Sequence, residues 1–232
     1  MLEITSRTGG LVKPEQSPLT MDLELSPWVD IVAFSSTSWD DVHDRPRLLM
    51  TRCAKNHRVF FFQEPKHDAL DDPHLELAIQ DRVNIVIPHL RHSDATSERE
   101  KEKLIGLLLS LAEIDQYIFW FFSPLAVEYT GQFHPRCTVY DCMNEPSGVR
   151  NASPDIYEFR KQKLKSSADL IFTTDIRMCL DPCNAKGNVH LFADSKDTKV
   201  ADWDGLWRQM SRLIDRTLKT LPPYSKTFDP RA

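Results

Sequence analysis

The chain has 232 residues, of which 41% are hydrophobic and 27% are charged, a balance that is typical of a globular domain with a packed core. Its 29 basic and 34 acidic residues give a formal net charge of -5, which argues against nucleic acid as the main partner. No apolar run approaches the roughly 20 residues that span a bilayer, and the N-terminus lacks the apolar core of a secretory signal. We therefore expect a cytoplasmic protein, and peripheral contact with a membrane stays open.

The predicted elements begin after an N-terminal segment, residues 1–27, whose prolines and paired glycines predict a flexible tail. Buried strands and helices then alternate. In chain order, the predicted strands cover residues 28–34, 57–64, 75–80, 83–88, 117–124, 136–141, 169–174 and 188–192. Helices are predicted from residues 45, 97, 125 and 154, and a long amphipathic helix with a short tail is predicted within 196–232.

Six or seven of these strands are continuous apolar runs, which is typical of parallel strands covered on both faces. The sequence therefore predicts an α/β fold, namely a doubly wound, mostly parallel, Rossmann-like sheet in one domain over residues 28–195. In such a sheet, ligands bind outside the carboxyl ends of the strands near the point where strand order reverses. The loops that follow the strands are therefore the ones to search for chemistry.

Cofactor and metal signals are weak. No Gly-x-Gly-x-x-Gly follows the first strand, so a nicotinamide cofactor is not expected, and we predict no cofactor. Cys179 and Cys183 have the spacing of half a zinc site, but no second pair with such spacing exists. The five cysteines are an odd number, so a disulfide framework is not expected, and we predict no metal.

Two of the loops contain candidate ligand-binding residues. The loop after the first strand offers Ser38, Trp39, Asp40 and Arg45, and its hydroxyl, carboxylate and indole groups suit a polyhydroxylated ligand such as a sugar. The alternative is a polar loop whose tryptophan packs on the domain. Ser123 is a candidate to cap the following helix, or to present backbone N–H groups to a phosphate.

The segment CTVYDCMNEPSG contains the candidate catalytic acids. Asp141 ends a predicted strand, and Asn144 and Glu145 follow it in the loop. A carboxylate at this edge is suited to act as general base for an acceptor hydroxyl, or to bind sugar hydroxyls without taking a proton. The alternative for Asp141 is a bracing role within the loop.

Four segments taken together resemble the N-terminal domain of a bacterial glycosyltransferase family with the GT-B fold that is associated with surface polysaccharide synthesis. They are SWDDVHDRPRLLMTRCAKNHRVFFFQEP, VYDCMNE, SADLIFTT and NVHLFADS, and the resemblance covers about Ile31 to Ser195. It implies an acceptor-binding domain, with a final helix that packs back on it. Asn144 departs from the family pattern, which has aspartate there.

A second departure concerns the donor domain, because NVHLFADSKDTK leads almost directly to the final helix. The resemblance therefore predicts a glycosyltransferase-like protein that retains the acceptor half, while a partner supplies the nucleotide-sugar domain. The expected ligand is a sugar or lipid-linked glycan acceptor. Alternatives are a non-catalytic binding or regulatory module, or a scaffold that forms a homodimer.

Overall fold

The computed structural model describes residues 4–6, 29–42, 45–92, 97–142, 153–180, 187–192 and 202–222. The strands are β1 (Ile4–Ser6), β2 (Asp30–Phe34), β3 (Val59–Phe62), β4 (His74–Gln80), β5 (Val83–His89), β6 (Tyr117–Phe121), β7 (Cys137–Asp141), β8 (Leu170–Thr173) and β9 (Val189–Leu191). The helices are α1 (Arg45–Cys53), α2 (Ser97–Leu111), α3 (Pro154–Ser167), α4 (Ile176–Leu180) and α5 (Trp203–Thr220). Short 3₁₀ helices cover Trp39–Asp41 and Pro124–Glu128.

The strands of the described ranges form one sheet in the order β1-β4-β5-β3-β2-β6-β7-β8-β9. Strand β2 lies near the centre and pairs in parallel with β3 on one side and with β6 on the other. The chain therefore extends first to one side of β2 and then to the other, which places the reversal of strand order between β2 and β6. Only the β4–β5 pair is antiparallel among the described pairings, so the predicted doubly wound, mostly parallel α/β fold is confirmed.

Alternating side chains of the central strands feed two separate apolar cores. Ile31 and Ala33 of β2 lie in the core that contains residues of α1 and α5. Val32 and Phe34, their neighbours in sequence, lie in the core that contains residues of α2 and α3. Because successive strand residues point to opposite faces, a continuous apolar run can be buried only where helices cover both faces.

Helix α5 packs on the same face of the sheet as α1. Its buried residues Met210, Ile214 and Leu218 belong to the core on that face. Asp202 caps the start of the helix by accepting a hydrogen bond from the Gly205 N–H at 2.8 Å. At the other end, Arg136 donates to the carbonyl oxygen of Leu218 at 3.3 Å, which satisfies a carbonyl that the helix itself leaves unpaired.

The N-terminal segment contains a strand that the sequence does not predict. Ile4–Ser6 pairs in parallel with the outer edge of β4, inside the segment 1–27 that is predicted to be a tail, and the rest of that prediction lies outside the described residues. The pairing covers backbone groups that β4 would otherwise leave exposed at the edge of the sheet. Strand β4 itself joins β5 through Asp81 and Arg82, whose positive φ angles of 51° and 67° are those of a tight hairpin turn.

None of the helices in the described ranges is long and apolar enough to cross a lipid bilayer.

The docking of α5 gives a stability prediction. We expect Ile214→Ala to lower the free energy of unfolding by about 2–5 kcal/mol, because Ile214 is fully buried and the smaller side chain leaves a cavity. Arg212→Ala on the exposed side of the same helix is the control, and it should change stability by no more than about 0.5 kcal/mol. Urea denaturation followed by circular dichroism measures both. Equal midpoints for the two variants would show that α5 does not dock on the sheet in solution.

Candidate functional site

A cleft of about 800 Å³ opens at the carboxyl ends of the central strands. Phe34, Ser35 and Ser36 line it at the end of β2, Glu64 at the end of β3 and Ser123 at the end of β6. These strands flank the reversal of strand order, which is where open α/β sheets bind ligands. The cleft is therefore the candidate functional site.

Two helices begin at the cleft. The first turns of α2 and α3 contribute Ser97 and Ser153, and Ser153 Oγ accepts a hydrogen bond from the Ile156 N–H at 3.4 Å. Helix N-termini carry partial positive charge, so both helices favour negative charge in the cleft. Ser123 is a capping residue as well as a lining residue, since its Oγ accepts from the Leu125 N–H at 3.4 Å.

The helices also bring three cations to the cleft, the exposed Arg99 and the half-buried Lys101 from α2, and Arg160 from α3. The Lys101 ammonium lies 5.3 Å from the centroid of the Tyr129 ring. Burial lowers the pKa of Lys101, Glu98 and Glu64 raise it, and Arg160 lowers it further. The net direction is downward, which means that the protein around Lys101 compensates its positive charge incompletely.

Arg160 and Tyr129 complete this group of side chains. Arg160 Nη2 donates to Glu98 Oε1, and Arg160 has a side-chain exposure of 19%. Burial raises the pKa of Tyr129, so its phenol stays protonated at neutral pH. The cleft therefore combines hydroxyl groups, carboxylates, an aromatic ring and cations.

Asp141 and Arg45 form a buried ion pair away from this cleft. Arg45 Nε donates to Asp141 Oδ1 at 3.0 Å and to Oδ2 at 3.1 Å, and the two side chains are 3% and 1% exposed. Arg45 Nη2 also lies 3.7 Å from Met210 Sδ, so the pair contacts α5. This geometry is the bracing alternative for Asp141, and catalysis by Asp141 stays a prediction.

The other residues of the first loop are placed in three different ways. Trp39 is 1% exposed and packs edge-on against Phe61 at 4.9 Å, so its indole presents no face to a sugar and the packed alternative is the one observed. Asp40 is exposed and accepts from Gln80 Nε2 at 3.4 Å. Ser38 is half-buried and precedes the short 3₁₀ helix without a side-chain capping bond. Ligand binding by these three residues stays a prediction.

Trp39 and Asp141 lie away from the cleft because they belong to the opposite face of the sheet. Cys137 and Val139 of β7 lie in the α1–α5 core. Asp141 is two residues after Val139 and therefore points to the same face of the sheet. Trp39 also lies in that core, whereas Phe34 and Tyr129 of the cleft belong to the other one. Of the predicted site residues that the structure describes, Ser123 lines the cleft. Asn144 and Glu145 lie outside the described residues.

Sequence reasoning did not identify Glu64, Lys101 and Arg160. Glu64 ends a predicted strand, so its position at the ligand edge was available as a signal. Lys101 and Arg160 lie in helices, where charged residues are usually solvated, and nothing in the sequence marks them as cleft residues. Within the described ranges, no group of three or more side chains has the composition of a metal site.

Comparison with solved structures identifies similar folds. The chain matches a sucrose-phosphate synthase structure from Thermosynechococcus elongatus with a TM-score of 0.52 and 12% identity, covering 82% of this chain and 100% of that one. A longer sucrose-phosphate synthase chain from the same organism matches with a TM-score of 0.47 and 10% identity, over 71% of this chain and 48% of that one. A structure described as trehalose-6-phosphate from E. coli, bound with UDP-2-fluoro glucose, gives a TM-score of 0.44 and 13% identity. That match covers 68% of this chain and 43% of the other.

The first of these matches shows that the chain has the fold of one half of a GT-B glycosyltransferase. At these identities the similarity concerns the fold alone. The chain spans about half the length of the two longer structures. No family model and no curated protein sequence matches the chain.

If the buried Arg45–Asp141 pair braces the fold, breaking it should cost more stability than breaking an exposed ion pair. We expect Asp141→Asn to lower the free energy of unfolding by about 3–5 kcal/mol, because Arg45 then keeps a buried charge without its counter-charge. The double variant Arg45→Met/Asp141→Leu should recover much of this loss. Lys219→Met breaks the exposed pair with Asp215 and is the control, with an expected change of no more than about 1 kcal/mol. Chemical denaturation of the four proteins measures these changes in stability, and a loss for Asp141→Asn no larger than the control's would contradict a bracing role.

Proposed function

We propose that this chain provides the acceptor-binding half of a glycosyltransferase-like protein and that the cleft between β2 and β6 holds the acceptor. The observation that carries the proposal is the position of the cleft at the reversal of strand order in a GT-B-type half. A GT-B enzyme transfers a sugar from a nucleotide donor held by its other half. The proposal therefore includes a partner that supplies the donor half.

The lining of the cleft supports a carbohydrate ligand. Ser35 Oγ accepts from the Thr37 N–H at 3.1 Å, which leaves the Ser35 hydroxyl proton to donate to a ligand. Ser36 adds a second hydroxyl and Glu64 a carboxylate, and these groups match the alternating donors and acceptors of sugar hydroxyls. Phe34 and Tyr129 supply apolar surface at the same place. Small-molecule sites combine these features in clefts of about 300–1,000 Å³.

Acceptor activation requires a base within hydrogen-bond reach of the acceptor hydroxyl. Asp141 would have to leave its pair with Arg45 to take this role, at a large cost for two buried charges. Glu64 already lines the cleft, so in the proposed mechanism Glu64 is the better placed base. Glu145 remains a second candidate from the sequence.

The neighbouring structure supports a sugar substrate in general terms. It is described as a sucrose-phosphate synthase, an enzyme whose name denotes a phosphorylated disaccharide product. The resemblance in sequence supports surface polysaccharide synthesis and a lipid-linked glycan acceptor instead. Both support a carbohydrate as the ligand that we propose for the cleft.

Blocking the cleft tests the proposed binding site. Ser36→Trp places a large ring in the cleft, so we expect at least about a tenfold loss of affinity for any carbohydrate that the wild-type chain binds. Ser110→Trp makes the same exchange on the exposed side of α2 and should leave binding unchanged. Ligand-observed NMR with a panel of sugars and sugar phosphates gives the affinities. A carbohydrate whose affinity is the same for both variants would bind elsewhere, which would contradict the assigned cleft.

A non-catalytic binding module is the second candidate function, and the burial of the Arg45–Asp141 pair favours it, since it removes one expected acid from chemistry. The two functions differ in turnover. Sugar transfer from nucleotide sugars is assayed with and without co-purified partner proteins. It supports the glycosyltransferase-like function if the Glu64→Gln variant loses transfer but still binds the carbohydrate. Carbohydrate binding without turnover in any pairing supports the second.

A further inference from the structure

We infer that Lys101 and Arg160 form a phosphate subsite within the cleft, so that the ligand is a phosphorylated carbohydrate. The carbohydrate part of this inference rests on the proposed function, whereas the phosphate subsite stands on the geometry of the two cations.

The state of the Lys101 ammonium is the first observation. In the part of the chain that the structure describes, no hydrogen bond or ion pair to Lys101 is found, and its close contact is the Tyr129 ring at 5.3 Å. An ammonium group carries three N–H donors, and it is strongly hydrated when free. A half-buried ammonium whose donors face a cleft therefore gains most from an anionic ligand there.

Arg160 is the second observation, because it brings a further cation to the same cleft from a different helix. Its Nη2 donates to Glu98, and its other donors have no partner among the described residues. Arg160 lowers the pKa of Lys101 by charge repulsion, but Glu98 has a larger opposite effect and Glu64 adds to it, so it is burial that takes the pKa of Lys101 downward. A bound anion would return to the Lys101 ammonium the stabilisation that burial removes, and it would attract Arg160 as well.

A phosphate group fits this arrangement better than a carboxylate does. Its three terminal oxygens can accept from an ammonium on one side and a guanidinium on the other, and charge-assisted hydrogen bonds of this kind are about twice as strong as neutral ones. Both α2 and α3 begin at the cleft, so their N-terminal dipoles add to the attraction for an anion. Ser35 and Ser36 line the same cleft, where their hydroxyl groups suit the sugar hydroxyls.

The phosphate could belong to a sugar monophosphate or to the diphosphate of a lipid-linked sugar, since both present the same terminal oxygens. The competing interpretation is that Lys101 and Arg160 are ordinary surface cations. The exposure of Arg160, 19%, and the burial that lowers the pKa of Lys101 argue against it.

Isothermal titration calorimetry of the full chain with glucose 6-phosphate, glucose and inorganic phosphate tests the subsite. We expect glucose 6-phosphate to bind at least about tenfold more tightly than glucose, and Lys101→Met to remove that advantage while leaving glucose affinity unchanged. Arg160→Met should act in the same direction, and Arg160→Lys should be intermediate because it keeps the charge without the planar fork. Lys103→Met, on the exposed side of the same helix, is the matched control and should bind like wild type. Thermal unfolding of each variant establishes that it is folded.

The outcomes separate this inference from the proposed function. Equal affinity for glucose and glucose 6-phosphate would overturn the phosphate subsite and leave carbohydrate binding in place. Binding of inorganic phosphate that depends on Lys101, without any gain from the sugar, would support the subsite and contradict the proposed function. Phosphate-dependent binding that survives both methionine variants would overturn the assignment to these residues. A short-chain lipid-linked sugar diphosphate in detergent micelles, in competition with glucose 6-phosphate, identifies the source of the phosphate, because the tighter ligand displaces the other.

Discussion

The alternation of side chains along parallel strands is the constraint on which the rest of this structure depends. A central strand such as β2 buries Ile31 on one face and Val32 on the other, so it is stable only between two layers of helices. Covering both faces requires the chain to cross the sheet on each side, and this requirement creates the reversal of strand order beside β2. The cleft is therefore a consequence of how the core is covered, because the loops that leave β2 and β6 diverge there.

The same constraint divides the charges of the molecule into two kinds. On the face that α1 and α5 cover, Arg45 and Asp141 pair at 3.0 Å and are both buried, although Arg45 Nη1 has no hydrogen-bond partner among the described residues. On the other face, the three cations of α2 and α3 line a cleft with two carboxylates, Glu64 and Glu98, and burial lowers the pKa of Lys101 in spite of these carboxylates. A buried pair whose charges balance belongs to the core, whereas a group of charges that borders an open cleft can interact with another molecule.

Much of this fold could be predicted from the sequence, because strong apolar periodicity locates the elements from β2 to α5 within a few residues. The sequence is less informative where the face to which a strand residue points, or the packing of distant segments, decides where a side chain lies. Asp141 was correctly placed at the carboxyl end of a strand, but the face to which it points depends on the register of the whole sheet. Trp39 follows a strand in a polar loop, and only the packing of Phe61 beneath that loop explains its burial. The three residues of β1 are too short a segment to carry periodicity of their own, and they are ordered by the edge of β4.

Cations on the acceptor side of a glycosyltransferase fold have a specific chemical meaning. Sugar transfer from a nucleotide donor requires stabilisation of the departing diphosphate, and that charge develops in the half that binds the nucleotide. Lys101 and Arg160 lie on helices whose N-termini face the cleft that we propose to hold the acceptor, so their charge acts on whatever binds in that cleft. If these cations contribute to ligand affinity, the domain can recognise its ligand before a donor binds, or in the absence of a donor. An acceptor half of this kind could hold a phosphorylated sugar by itself, because each group that the phosphate needs comes from α2 and α3 of the same domain.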